Sequence, residues 1–363
     1  MTQTTAPPVW TMARVRLMLL AGLCLVALSM GARWWALPEA GSTGLAPDPN
    51  APSQQRARAV LGPPPSSGRW HSGIWAGGDI ARTKRVQAFG TWRGTPTDAA
   101  TMYPETRTWQ AIHDSHWHLT TYAGFEGTLV YGLPMLPEDG EGDFSTIIDG
   151  EHDWVYRKVA RNLLTEGRGR SVVRIGWEAN GDWFPWRATA ETAAQYVEAY
   201  RHIVGVLRSI APDLVIDFDI ACGTPLRGQK DPLAALTELY PGDDAVDIVG
   251  CDTYDWYHTK AQNEVTWAAA IRPIDRVGIA DVADFARQHG KGLSIPEWGL
   301  ASTADGGLGD NPFYIAKMRE FFETNADVLV LESYFSEPAT SLANSIWDPD
   351  QNPLSSEVYA RLW

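Results

Sequence analysis

Cysteine is scarce in this sequence: Cys24, Cys222 and Cys251 are the three among 363 residues. No pair of them has the short spacing of a zinc site. Basic charge is also in deficit. Lysine and arginine number 30 against 44 aspartates and glutamates, a net charge of −14. Nucleic acid and anionic membrane surfaces attract basic patches, so no nucleic-acid partner is expected. A glycine-rich phosphate turn is missing after the first apolar run, where GIWAGGDI (73–80) stands instead. That argues against a doubly wound open sheet. No internal repeat is visible.

Tryptophan is in surplus, at 17 residues. Each offers a broad apolar face and one N–H donor. Most are expected in the core and some as platforms for flat, partly apolar ligands. Position in the chain has to separate the two.

The N-terminus reads as an address. Arg14 and Arg16 precede the apolar run LMLLAGLCLVALSMGA (17–32), and Arg33 follows it. A basic region before a short apolar run is the pattern of a secretory signal. The run falls short of the roughly 20 residues of a comfortable membrane helix. Leu23 before Cys24 is too large for a lipoprotein signal. Residues 1–37 are therefore expected to be a signal peptide or a single-pass membrane anchor. The protein is expected to be exported, to the periplasm or beyond, with attachment to the cytoplasmic membrane if the segment stays. Residues 38–68 are rich in Pro, Gly, Ser and Ala. Such a segment buries little apolar surface and is expected to be a linker. The folded domain is placed at 69–363.

Within that domain, short apolar runs alternate with segments of helical period, the pattern of βαβ units. Eight runs are visible: 72–78, 98–103, 128–136, 171–179, 214–221, 246–254, 292–299 and 327–335. Helical segments are expected at 153–167, 191–211, 279–290 and 313–326, the second with Tyr196, Tyr200, Ile203, Val204 and Leu207 on one face. Eight strands interleaved with helices point to an α/β fold, a single (β/α)₈ TIM barrel.

Catalytic groups of such barrels sit at the C-terminal ends of strands. The fourth run ends RIGWEANGDWFPW (174–186) and the seventh SIPEWG (294–299). Both carry a glutamate flanked by tryptophan at the expected height. Alternation along a strand would put Arg174, Gly176 and Glu178 on one face. The sixth run ends CDTYDW (251–256), which brings Tyr254 near both glutamates. Two carboxylates across a glycosidic bond are the minimum for its hydrolysis, and about 5–5.5 Å between them makes one a nucleophile.

The segment WEANGDWFPW (177–186) resembles the acid/base motif of glycoside hydrolase family 26, His-Glu-Met-Asn-Gly-x-Trp-Tyr/Phe-Pro-Trp, a family that contains many β-mannanases. VDIVGCDTY and IPEWG are similar to its sixth and seventh strands. The resemblance implies Glu178 as general acid/base, Glu297 as nucleophile, and Tyr254 as hydrogen-bond partner of the nucleophile. Arg174 would support the same charge. Trp177, Asn180, Trp183, Trp186, Asp252, Trp256, Trp298 and Tyr334 are expected to contact sugar. The family's histidine before the acid/base is Trp177 here, which leaves β-mannan, β-glucan, xylan and bacterial exopolysaccharide all open.

Weaker signals are set aside. His113, His116 and His118 have metal-like spacing but are read as surface or packing histidines. The acidic loop EDGEGD (138–143) lacks the spacing of a calcium loop. DGGLGDN (305–311) is also read as a solvated loop, although its place after the seventh run could bring it to substrate. Cys222 and Cys251 lie near neighbouring strand ends. They either pair, in an oxidising compartment, or remain small buried thiols.

The expected protein is thus a monomeric, retaining endo-β-glycanase acting on a polysaccharide. No cofactor is required by two-carboxylate chemistry and none is expected. The alternatives are a non-hydrolytic carbohydrate-binding accessory of polysaccharide export, and a retaining glycosidase or transglycosylase on a short or α-linked substrate.

Overall fold

The computed structural model describes residues 53–77, 82–255, 261–339 and 341–363. Eight parallel strands close into a barrel in sequence order, β1-β2-β3-β4-β5-β6-β7-β8. They are β1 (His71–Trp75), β2 (Ala99–Met102), β3 (Thr128–Leu133), β4 (Val172–Ile175), β5 (Val215–Ala221), β6 (Ile248–Tyr254), β7 (Gly292–Gly299) and β8 (Leu329–Phe335). Seven of the eight apolar runs contain one strand each, the run 72–78 overlaps β1 except at His71, and the fold is the (β/α)₈ barrel. The four expected helical segments are helices at Asp153–Thr165, Ala193–Ile210, Ile279–Gln288 and Pro312–Thr324.

The outer face of the barrel is apolar and packs against these helices. The inner face carries charge near the mouth. Arg174, Asp217, Asp219, Asp252 and Ser294 are all buried there. Ser294 Oγ donates to Asp217 Oδ2 at 2.7 Å. Gly250 of β6 makes room for the cluster. A Cβ at that position would lie 2.4 Å from Ser294 Oγ, 2.8 Å from Asp219 Oδ2 and 2.9 Å from Asp217 Oδ1.

The linker reading of 38–68 is corrected for its second half. Ser53–Leu61 form a helix, α1, and residues 38–52 lie outside the described residues, as does the apolar run 17–32. Glutamine, arginine, alanine and leucine of SQQRARAVL are good helix formers. Ala57 and Val60, three residues apart on one face, cap a layer made by Ala99, Val130, Val172, Val215, Ile248 and Val330. Those side chains come from the N-terminal halves of their strands, so α1 seals the barrel at the end opposite the mouth. Arg58 Nη2 donates to the carbonyls of Ala326, Asp327 and Leu329 at 3.0–3.1 Å. Arg56 reaches Asp247 Oδ2 at 2.8 Å. Ser66 then caps Asp98 through its N–H and Oγ. Average composition hides this helix, because two buried side chains and two arginines are enough to dock it. Among the described residues no helix is long and apolar enough to cross a membrane.

Cys222, just after β5, and Cys251, in β6, form a disulfide with Cα atoms 5.6 Å apart.

The seal is testable. Ala57 has no exposed surface, so Ala57→Glu places a carboxylate against an apolar layer without a partner. The full chain should lose about 3 kcal/mol or more of stability, read as a lower denaturant midpoint in urea. An unchanged midpoint would remove α1 from the folding unit.

Candidate active site

Glu178 and Glu297 meet at the C-terminal mouth of the barrel, but only one is placed by its strand. β4 stops at Ile175. Gly176 follows at φ +50° and Glu178 at φ +55°. The left-handed region costs a residue with a side chain about 1–3 kcal/mol and persists only where the surroundings impose it. Here Glu178 N–H donates to the Asp219 carbonyl at 3.2 Å, and Trp183 Nε1 donates to Glu178 Oε2 at 2.7 Å. The aim of Glu178 therefore comes from its loop. The expectation that strand alternation carries Arg174, Gly176 and Glu178 on one face is corrected.

Glu297 lies within β7, where the register against β8 shifts between Ile295 and Trp298. Such irregularities re-aim a side chain. Glu297 Oε1 accepts from the Tyr254 hydroxyl and Oε2 from the Tyr103 hydroxyl. One carboxylate oxygen from each of Glu178, Asp252 and Glu297 lies within 4.8 Å of the other two.

Beneath them sits Arg174, fully buried. Its Nη2 donates to Asp219 Oδ1 at 2.8 Å and to Asp252 Oδ2, and its Nη1 to the Tyr103 hydroxyl at 2.7 Å. Nη1 is 3.7 Å from Glu297 Oε2. Burial works against this guanidinium, but Asp219, Asp252, Tyr103 and Glu297 outweigh it and the proton is held more tightly than usual. One cation faces more carboxylates than it can neutralise. Burial, then the charges of Glu297 and Asp219, pushes Glu178 well above the usual carboxylate range. Asp252 is also pushed well up by burial, against the pull of Arg174. Asp219 rises to about 6, again mainly by burial.

Several expected sugar contacts are corrected. Trp298 is buried on the outer face of β7, stacked on Trp363 and bonded through Nε1 to Glu332 Oε2 at 2.7 Å. Successive strand residues point to opposite sides, so a Trp298 beside an inward Glu297 has to face the helices. Tyr334 packs edge-on against it and donates to the Asn344 carbonyl at 2.6 Å. Trp186 is fully buried and donates to the Trp177 carbonyl at 2.8 Å. Trp177 is buried too, among Tyr103, Phe184 and Trp186. Asn180 is buried, and its amide is taken up by backbone: Nδ2 donates to the Ala221 and Thr224 carbonyls, and Oδ1 accepts from Ala221 N–H. It fastens the loop after β4 to the end of β5. Trp183 is half-buried beside Glu178, and Asp252 lies below the glutamates. Trp256 lies outside the described residues.

Three groups were missed. Tyr103 follows the last residue of β2, where the rule of strand ends could have found it. Asp219 had a signal in VIDFDIA, because two aspartates two apart in an apolar strand must share an inward face. Trp75 and Phe335, at the ends of β1 and β8, stack at 4.2 Å and 4°, and Phe335 meets Tyr254 edge-on at 6.1 Å. This pair walls the Glu297 side of the mouth.

The set-aside signals have local partners. His113 contacts Asp114 and His116 contacts Glu166. His118 contacts Arg82 at 2.8 Å and Glu105 at 3.7 Å. Asp143 caps the helix Phe144–Ile148 through a capping box. Asp310 accepts from the N–H groups of Leu354 and Ser355.

Residues 148–289 match the family model described as glycosyl hydrolase family 26. The match takes in Arg174, Glu178, Asp252 and Tyr254 and stops before Glu297. A mannan endo-1,4-beta-mannosidase of Bifidobacterium adolescentis is 28% identical over 220 residues, 59% of this chain and 20% of that protein. Endoglucanase H of Acetivibrio thermocellus is 29% identical over 150 residues, 40% of this chain and 15% of that protein. The chain thus spans a fifth or less of the length of these relatives. The catalytic domain of a GH26 endo-beta-1,4-mannanase from Bacillus sp. JAMB-750 superposes with a TM-score of 0.59 at 17% identity, covering 86% of this chain and 90% of that one, a likeness of fold. Motif, barrel and family model converge on the segment that builds the mouth, and residues 148–289 are similar to glycosyl hydrolase family 26.

Proposed function

We propose that the protein is a retaining endo-β-glycanase, with Glu178 as general acid/base and Glu297 as nucleophile. The observation that carries this reading is the approach of the two carboxylates to within 4.8 Å. That is the short spacing of retaining enzymes, about 5–5.5 Å, rather than the roughly 6.5–9.5 Å that admits a water between them in inverting ones.

The electrostatics fit the roles. Glu178 is held protonated by burial and by its negative neighbours, so it can give a proton to the leaving glycosidic oxygen. Glu297 takes donors on both oxygens, which fixes the orientation from which it attacks the anomeric carbon. Once the glycosyl ester forms, Glu297 carries no charge. The repulsion that raised Glu178 is then relieved, and Glu178 can take a proton from water in the second step. The half-buried Trp183 beside Glu178 is a candidate sugar platform. The named activities of the two relatives support a β-1,4-linked mannan or glucan backbone as substrate. The Cys222–Cys251 disulfide supports action in an oxidising compartment, the periplasm or outside the cell.

Reducing-sugar release from mannan, glucomannan, mixed-linkage glucan, xylan and bacterial exopolysaccharides tests the reading. Activity on one polymer should fall about 100- to 10,000-fold in Glu178→Ala and vanish in Glu297→Ala. Aryl glycosides with good leaving groups should be spared in the first variant, because their departure needs no proton. Silence across the panel would end the hydrolase reading. The stereochemistry is a separate check: NMR of the first products should show the β-anomer, and an initial α-anomer would exclude retention.

The pH profile follows from Glu178. The reactive form of this group is the acid, and its proton is held to higher pH than an ordinary carboxyl. Activity on polymers should persist to higher pH than an ordinary carboxyl would allow and fall as pH rises through the titration of Glu178. That basic limb should disappear in Glu178→Ala with an activated substrate. A basic limb that survives there belongs to another group.

A further inference from the structure

The nucleophile of this chain has a second hydroxyl that the motif does not foresee. Tyr103 directly follows β2 and reaches across the mouth to β7. Its ring lies over Gly132 of β3, where a Cβ would be 2.6 Å from Tyr103 Cδ1. It leans on Trp177, ring centroids 5.1 Å apart at 44°, and passes 5.9 Å from the Arg174 guanidinium carbon. Only a glycine at 132 leaves that path open. Trp177 is the residue that stands in place of the family's histidine, and it is buried behind the phenol rather than exposed to ligand.

The hydrogen bonds around the phenol have one direction. Arg174 can only donate, and its Nη1 points to the Tyr103 oxygen at 2.7 Å. The phenol's own hydrogen is therefore left to point at Glu297 Oε2. Arg174 stands 3.7 Å from that carboxylate and gives its Nη2 hydrogens to Asp219 and Asp252. Its hydrogen-bonded route to Glu297 runs through the phenol.

We propose that Tyr103 is a positioning residue for Glu297, relaying Arg174 to Oε2 while Tyr254 holds Oε1, and that Trp177 with Gly132 seats it. The inference rests on the reading of Glu297 as nucleophile. With one donor on each oxygen, the carboxylate cannot rotate about its terminal bond without losing both. Burial keeps the phenol neutral, so it remains a donor.

The test is Tyr103→Phe in the full chain, assayed on glucomannan and on a 2,4-dinitrophenyl β-glycoside. The charged and titratable groups that face Glu297 are Arg174 and Glu178 from β4 and its loop, Asp219 from β5, and Asp252 and Tyr254 from β6. Phe keeps the ring, so the melting temperature should hold. Loss of one hydrogen bond to a charged group should lower kcat roughly 10- to 100-fold with KM little changed. The deficit should persist on the dinitrophenyl glycoside, whose departure needs no proton, because the attack by Glu297 is the slowed step. Trp177→Ala, which unseats the ring but leaves the hydroxyl, should lower kcat on the same glycoside without raising KM. A Tyr103→Phe enzyme with unchanged kcat on both substrates overturns the inference. So does a loss of kcat that tracks a lower melting temperature, or one confined to glucomannan. Glu297→Ala separates the two readings. If it stays active, the nucleophile reading falls and this inference with it; if it is dead while Tyr103→Phe is normal, this inference falls alone.

Discussion

The mouth of this barrel depends on one buried cation. Arg174 has no access to solvent, and it meets Asp219, Asp252 and Tyr103 by hydrogen bonds and Glu297 at longer range. A buried charge is tolerated only when paired and bonded. Here the demand runs both ways, because the carboxylates around Arg174 outnumber it. Burial, reinforced by that surplus negative charge, holds Glu178 and Asp252 well above the usual carboxylate range. Replacing Arg174 by an apolar residue would therefore disturb the protonation of the whole mouth as well as the geometry of one pair.

The rest of the architecture supplies rigidity around that cation. β5 and β6 present Asp219 and Asp252 from adjacent strands, and the Cys222–Cys251 disulfide joins the same two strands one residue from Asp252. Gly250 admits the aspartates and Ser294 in one layer. Glu178 is aimed by a strained loop, and strain of this kind is stable only when its surroundings are fixed. Asn180, with its amide bonded to Ala221 and Thr224, performs that fixing.

Much of this was legible in the sequence. Alternating apolar runs and helical periods gave the barrel, since each strand must bury a face and each helix a stripe. The strand-end rule located Glu178, Glu297 and Tyr254. The tryptophans were read too generously. A tryptophan beside an inward-facing glutamate on the same strand faces away from it, as Trp298 does, and those in the loop after β4 sort by burial that no pattern in WFPW reveals. Tyr103 was hidden because β2 is short and its chemistry is completed by residues 71 and 194 positions away. Helix α1 was hidden because its docking rests on carbonyls of distant loops, which carry no signature in composition.

The docking of α1 also fixes an orientation. The described chain enters the barrel at its sealed end, while Glu178 and Glu297 open at the other. Any surface that met the chain at Ser53 would therefore face the floor of the barrel, with the mouth turned outward. A long polymer could then be gripped mid-chain without competing for space with the support, whereas a ligand embedded in that support would be out of reach.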